Sequence, residues 1–264
     1  MEKSIIRVGL IQMRCEKGAI AQNLARKARY LQEAAKRNID IVGFPEMSLT
    51  GYADPNHFPE AVLKLDGPEV AQLLQMTREF PGTVLAGLIE ANPGGMPFIT
   101  QIAARRGELL GYYRKITIQD EETLWFSAGQ QVPIFQHDGL PFGVAICADL
   151  TNREVFAQAS RQGARLIFEL AAPGLYGERN PRNWQAGYGW WEAECRQHLS
   201  GYARAFNTWI LVATQAGATV DEDFPGGAFA FAPGGERVLA TPDWLPGMVF
   251  LEIDLNNSRL SQLP

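Results

Sequence analysis

The chain is short of the residues that build disulfide frameworks and metal centres. Its 264 residues include three cysteines, Cys15, Cys147 and Cys195, and three histidines, His57, His137 and His198. An odd number of widely spaced cysteines does not make a disulfide scaffold, and no pair stands at metal-ligand spacing. A zinc site is therefore not expected. Excess positive charge is also lacking, since the net charge is −5. A nucleic-acid partner, which calls for a basic face, is therefore not expected. Arg26, Lys27 and Arg29 do cluster, and they read as the solvated side of a helix. No apolar run approaches the ~20 residues that span a bilayer. Met1 to Arg7 has no apolar stretch of the kind that opens a secretory leader. The expectation is a reduced, cytoplasmic setting with no membrane partner.

What the chain does have is an apolar share of 46% with 20% charged residues, enough for a sizeable core. Ile5 to Gln12 reads as a strand. Ala19 to Arg37 reads as an amphipathic helix with Leu24, Ala28, Leu31 and Ala35 on one stripe. Ile39 to Phe44 is a short apolar run of the kind found in strands buried on both faces. Glu69 to Phe80 reads as a helix and Thr83 to Ile89 as a strand. Ile99 to Arg105 and Glu108 to Ile118 form a strand pair turning at Arg106-Gly107. Phe142 to Ile146 is a strand, Asn152 to Gln162 a helix, Leu166 to Leu170 a strand. Trp190 to Ala205 reads as a helix, followed by strands at Trp209 to Thr214, Phe229 to Ala232, Arg237 to Ala240 and Met248 to Ile253. Helices and strands interleave with no linker, low-complexity stretch or repeat, so 1–264 is read as one α/β domain. Pro173 to Gly189 is the least regular stretch, and such loops are often binding loops.

Four residues could carry chemistry. Cys147 ends an apolar strand, where α/β sheets place their sites, and the N–H of Ala148 beyond it could face an oxyanion. A buried core thiol is the alternative. A thiol with a pKa near ~8.5 needs an activating partner; a Cys–His pair is one alternative, although none of the histidines lies in a segment resembling a strand end beside a catalytic turn, and surface or loop placement is expected for all three. Glu46 closes Ile41-Val42-Gly43-Phe44-Pro45, where burial would raise its pKa and suit it to move protons; a solvated residue just past the strand is the alternative. Lys115, in Gly111-Tyr112-Tyr113-Arg114-Lys115, could hold an oxyanion or sit as a surface lysine. Glu122, in an acidic run, carries no signal alone.

Order and wording add what single residues lack. Phe44-Pro45-Glu46-Met47-Ser48-Leu49-Thr50-Gly51-Tyr52 resembles the first-glutamate motif of the carbon–nitrogen hydrolase (nitrilase-like) superfamily. Gly111 to Lys115 resembles its lysine motif, and Val144-Ala145-Ile146-Cys147-Ala148-Asp149 its cysteine motif. Glu122 precedes Phe126 and Gly129 much as the family's second glutamate precedes its Phe and Pro-Gly. The resemblance covers nearly the whole chain. It implies a four-layer α-β-β-α sandwich and a Glu–Lys–Cys triad without cofactor: Glu46 as base and acid, Lys115 as oxyanion stabiliser, Cys147 as nucleophile, and Glu122 orienting Lys115. It also implies a homodimer or larger homo-oligomer formed through the helical faces.

The pattern is not followed throughout. Ala148 replaces an aromatic residue, Thr151 an Arg and Ala128 a Pro, and Gln215 stands where Asn is common. These changes bear on pocket shape. The Trp-Glu that follows the cysteine in nitrilases proper is missing, which favours an amide or carbamoyl substrate over a nitrile. The expected activity is cysteine-dependent hydrolysis of a small linear amide through a thioester. An N-carbamoyl amine hydrolase, a nitrilase and a non-catalytic binding protein on the same fold are the rivals. Tyr52, Trp125, Phe126 and the segment Pro173 to Trp191 are expected to border the pocket, with Arg179, Arg182 and Trp184 as candidate substrate contacts.

Overall fold

The structure is a computed structural model that describes residues 4–175 and 182–264. Two β-sheets pack face to face, and helices cover their outer faces. The first sheet runs in the order β16 (Arg259–Leu263), β15 (Gly247–Asp254), β1 (Ile5–Gln12), β2 (Ile41–Gly43), β4 (Thr83–Glu90), β5 (Phe98–Arg105), β6 (Glu108–Arg114), with β3 (Val62–Leu63) paired to β4. The second runs β14 (Arg237–Ala240), β13 (Ala228–Phe231), β10 (Trp209–Thr214), β9 (Leu166–Ala171), β8 (Leu140–Ala145), β7 (Phe135–His137). A small hairpin joins β11 (Ala216–Ala218) to β12 (Asp223–Pro225).

Each sheet has a parallel centre and antiparallel flanks. β1, β2 and β4 are parallel, as are β8, β9 and β10. Every residue of β2, β4, β9 and β10 is buried, which is why these segments read as continuous apolar runs. Ile41 points into the layer between the sheets and Val42 into the layer under the helices α1 (Ile20–Lys36) and α2 (Pro68–Met76). Helices α3 (Arg153–Arg161) and α4 (Trp184–Phe206) cover the second sheet. A Cβ on Gly43 would stand 3.0 Å from Leu170 and 3.3 Å from Phe168, so the bare glycine lets the two sheets approach closely. The α-β-β-α sandwich implied by the motifs is the fold observed.

Several elements differ from the sequence reading. Lys27 is fully buried rather than solvated: its Nζ lies 3.7 Å from Met13 Sδ and 4.3 Å from the Phe44 ring centroid. Arg29 is exposed and Arg26 half-buried. The helical period fixed the face, but the third position from Leu24 turns in toward the end of β1. His137 is not on the surface either; it is buried, with Nδ1 2.9 Å from Thr83 Oγ1. Helix α2 stops at Met76, where the Thr77 hydroxyl bonds back to Leu74 O and accepts from Gly107 N–H. Strand β6 stops at Arg114 because the following segment is drawn toward the second sheet, with Thr117 N–H bonded to Asp149. Helix α4 begins six residues earlier than its periodicity suggested, capped by Asn183.

Candidate active site

The site forms where strand ends from both sheets meet. Glu46 follows β2, Lys115 follows β6, and Cys147 follows β8. The Glu46 turn is tightly held. Met47 adopts a left-handed φ of 46°, its carbonyl accepts from Gly51 N–H, and Gly87 N–H donates to Ser48 Oγ. A Cβ on Gly87 would lie 2.3 Å from Met47 N, so only glycine lets β4 pass behind the turn. Lys115 is fixed by its N–H to Ile99 O and its carbonyl to Gly129 N–H.

Three charged side chains meet there in a buried cluster. Lys115 Nζ donates to Glu46 Oε1 at 2.8 Å and to Glu122 Oε1 and Oε2 at 2.7 and 2.9 Å. Glu46 Oε2 accepts the Ala172 N–H at 2.9 Å, which ties this carboxyl to the end of β9. Tyr52 donates its hydroxyl to Glu122 Oε1 at 2.9 Å. Burial pushes the Glu46 carboxyl up to about 7, opposed by the Lys115 charge. Burial alone would lower the Lys115 ammonium, but Glu46 and Glu122 hold it well above its usual value. Burial raises the Cys147 thiol well above its usual value, Glu46 adds to this, and Lys115 opposes it. The resting cysteine is therefore a neutral thiol beside a carboxyl poised near neutrality.

Cys147 opens a 3-10 turn, Cys147–Thr151, with a left-handed φ of 46°. Asp149 ties that turn down. Its Oδ2 accepts from Tyr113 Oη at 2.7 Å and Ile146 N–H at 3.0 Å, and its Oδ1 from Thr117 N–H at 2.8 Å. Cys147, Ala148, Lys115 and Tyr52 line one cavity of about 620 Å³, whose opposite wall carries Trp190 and Trp191. The mouth is acidic: Asp120, Glu121, Glu194 and Glu222 line it.

Of the expected residues, Glu46, Lys115, Cys147, Glu122, Ala148 and Tyr52 come together. Glu122 is buried, unlike its exposed neighbours Asp120 and Glu121. Trp125 and Phe126 do not line the cavity. Their N–H groups bond back to Glu122 O at 3.0 and 2.8 Å, and that tight turn carries both rings behind Glu122, with Phe126 in the core. Trp184 lies two helical turns, about 10 Å, before Trp191 on α4 and stands off the cavity wall. Arg182 is paired with Asp223 at 3.1 Å and borders a neighbouring groove. Arg179 lies outside the described residues. The sequence reading missed Glu194, Glu222 and the Ala172 N–H. A backbone donor leaves no mark in side-chain identity, and the two glutamates lie in segments with no motif. Among the described residues no cluster of His, Cys, Asp and Glu could hold a metal ion, and no helix is long and apolar enough to cross a membrane.

The layer order and the buried Glu–Lys–Glu cluster beside a cysteine are those of a nitrilase-type sandwich. The family model for carbon–nitrogen hydrolases matches residues 7–261, and the chain belongs to that family. It is 24% identical over 97% of its length to a glutamine-dependent NAD(+) synthetase of Acinetobacter baylyi, of which it covers 46%. It is 26% identical over 95% of its length to a 2-oxoglutaramate amidase of Bacillus subtilis, covering 92% of that protein. The chain thus spans under half the length of its synthetase relative and nearly all of its amidase relative. Among solved structures, an amidase of Nesterenkonia AN1 from the nitrilase superfamily superposes with a TM-score of 0.81 over 98% of this chain and 96% of that one, at 18% identity.

Proposed function

We propose that the protein hydrolyses the C–N bond of a small, uncharged linear amide through a thioester on Cys147. The observation that carries this reading is the ammonium of Lys115 bonded to both Glu46 and Glu122 at the wall of the cavity onto which Cys147 opens. Glu46, near its midpoint at neutral pH, takes the thiol proton as sulfur attacks the amide carbon. An ammonium has three N–H groups. Glu46 takes one and the two oxygens of Glu122 share a second, and the third, with the Ala148 N–H, meets the developing oxyanion. When the tetrahedral intermediate collapses, the C–N bond breaks and Glu46 returns the proton to the departing nitrogen. Water then attacks the thioester, Glu46 accepts its proton, and collapse expels the sulfur, which Glu46 reprotonates.

Support for an uncharged substrate comes from the cavity's described walls. Their cation, Lys115, is already engaged by two carboxylates, and the mouth carries Asp120, Glu121 and Glu194, with Glu222 paired to Lys17. A carboxylate-bearing substrate would meet like charge on entry. Support for a covalent step comes from a related amidase structure, which carries the acetamide moiety of fluoroacetamide on its active-site cysteine. A homodimer packed through the helical faces is proposed from the family pattern, with sedimentation as its test.

Ammonia release from a panel of amides, nitriles and N-carbamoyl compounds tests the reaction class. Amides should respond most strongly, Cys147→Ala should lower kcat by at least about 10⁴-fold, and intact-mass analysis on a slow amide should show an acyl adduct lost in that variant. Full activity of Cys147→Ala overturns the reading, and preferential turnover of nitriles or carbamoyl compounds replaces its substrate class.

A further inference from the structure

Glu169 is a fully buried carboxyl that the chemistry above does not use. It sits on β9 between Ala145 of β8 and Val212 of β10. Its neighbours Phe168 and Leu170 face the first sheet, where both abut Gly43. Strand alternation therefore sends Glu169 to the other side, beneath α4 and the Cys147 turn. Neither of its carboxyl oxygens makes a hydrogen bond of full geometry, and the backbone of Cys147 is the donor nearest to forming one. The titratable groups around it are Cys147 and Asp149 of the turn, Glu46 and Lys115 from the first sheet's side, Tyr113 of β6 and Cys195 of α4. The Cys147 N–H faces it.

An unpartnered carboxyl in such a place is costly, and an apolar side chain of similar size would remove the cost. Two local needs match what a carboxylic acid offers. Cys147 is a non-glycine residue in the left-handed region, which costs roughly 1–2 kcal/mol per residue and persists only when its surroundings hold it. Asp149 secures the turn at Ile146 N–H, one residue before the nucleophile. A carboxylate offers about four lone-pair sites, and Asp149 fills three with Tyr113, Ile146 and Thr117. One site is left for an O–H donor. Burial, reinforced by Asp149 and Glu46, holds the Glu169 carboxyl well above the usual carboxylate range, so it carries the proton to donate.

We propose that Glu169 is a positioning residue for the nucleophile, a carboxylic acid that bridges Asp149 and the Cys147 N–H and so holds the left-handed turn as the thiol meets the substrate. This rests on Cys147 being the nucleophile. The bridge forms no covalent bond and moves no electrons. Its O–H points to Asp149 and its carbonyl oxygen to the Cys147 N–H.

Glutamine can do both jobs, since its amide donates and accepts, whereas leucine can do neither. The experiment compares E169Q, E169L and the wild type by kcat and KM for propionamide, by the rate at which iodoacetamide alkylates mapped Cys147, and by Tm. E169Q should stay within about 3-fold of wild type in kcat and alkylation rate. E169L should lose about 30-fold or more in kcat and about 10-fold in alkylation at little-changed KM, with Tm used to establish that the variant is folded. If E169L does not fold, E169M takes its place with the same expectation. A folded leucine or methionine variant with wild-type kcat and alkylation overturns the proposal, as does an E169Q protein as impaired as E169L. Failure of the nucleophile reading itself would show separately, as an active Cys147→Ala protein.

Discussion

The Lys27 ammonium stands 4.3 Å from the centroid of the Phe44 ring, two residues before Glu46 in the chain. It is fully buried, and burial lowers its pKa from 10.5 to about 7, while burial pushes its neighbour Cys15 up to about 12. Between pH 7 and 10.5 the unfolded chain binds the Lys27 proton more tightly than the folded one, so this group makes stability rise with pH. Cys15 acts oppositely from about 9 upward, because the folded thiol keeps its proton while the unfolded one loses it. Lys27→Met should therefore be more stable than wild type at pH 6, by roughly 2–4 kcal/mol. The advantage should shrink as pH rises to 9, read by denaturant unfolding at each pH. A constant difference across that range counts against the buried, shifted amine.

In the proposed mechanism the carboxylate form of Glu46 accepts the thiol proton, and its pKa is raised to about 7, so kcat/KM should climb through about pH 7. Cys147 and Lys115 are both held well above their usual values, so no alkaline fall should follow before about pH 9. Initial rates from pH 5 to 10 check this. A limb near 4.5 would mean that Glu46 is not the titrating base.

Lys115→Met leaves two buried carboxyls without their cation. It should cost about 3–5 kcal/mol of stability and abolish turnover. Adding Glu122→Gln should restore part of the stability, since one of the uncompensated charges is removed, but none of the activity. Thermal unfolding and ammonia release on the two variants separate these effects.

Gly87→Ala drives a methyl group into the backbone of the Glu46 turn, where Met47 N would lie 2.3 Å away. The expected cost is about 1–3 kcal/mol, with a fall in kcat of about 10-fold or more because Glu46 must move. A substitution at Gly201 of α4, where an added Cβ meets nothing within 4 Å, is the matched control and should leave kcat unchanged.

The acidic mouth makes a charge prediction. Turnover of propionamide should exceed that of an ω-carboxyl amide of similar length, and Glu121→Gln with Glu194→Gln should narrow the gap. The comparison should be made at low ionic strength, since salt screens such effects. A wild-type preference for the carboxylate-bearing amide would contradict the reading of the walls.

How much of this could be read from the sequence depends on what each feature leaves there. The buried strands were legible because β2, β9 and β10 are covered on both faces and so are apolar throughout. Glu46, Lys115, Glu122 and Cys147 were found through motif wording, not through spacing; their convergence depends on strand order in two separate sheets. Lys27 was misread because a helical wheel gives the buried face of a helix but not the depth to which a long side chain reaches. Trp125 and Phe126 were misplaced because a 3-10 turn reverses direction within two residues. Glu169, in Phe168-Glu169-Leu170, stood as a charged residue inside an apolar strand, a signal that was present and passed over.

The groups of the candidate site are mounted on opposite leaves of the sandwich. Glu46 and Lys115 extend from one sheet, Cys147 and the Ala172 N–H from the other, and the seam closes where Gly43 nestles against Phe168 and Leu170. The gap between acceptor and sulfur is thus gauged by the thickness of the oily filling, as the jaws of a calliper are set by its screw. A methyl group added to or shaved from that filling would retune the encounter between thiol and carboxyl without altering any atom of the pocket.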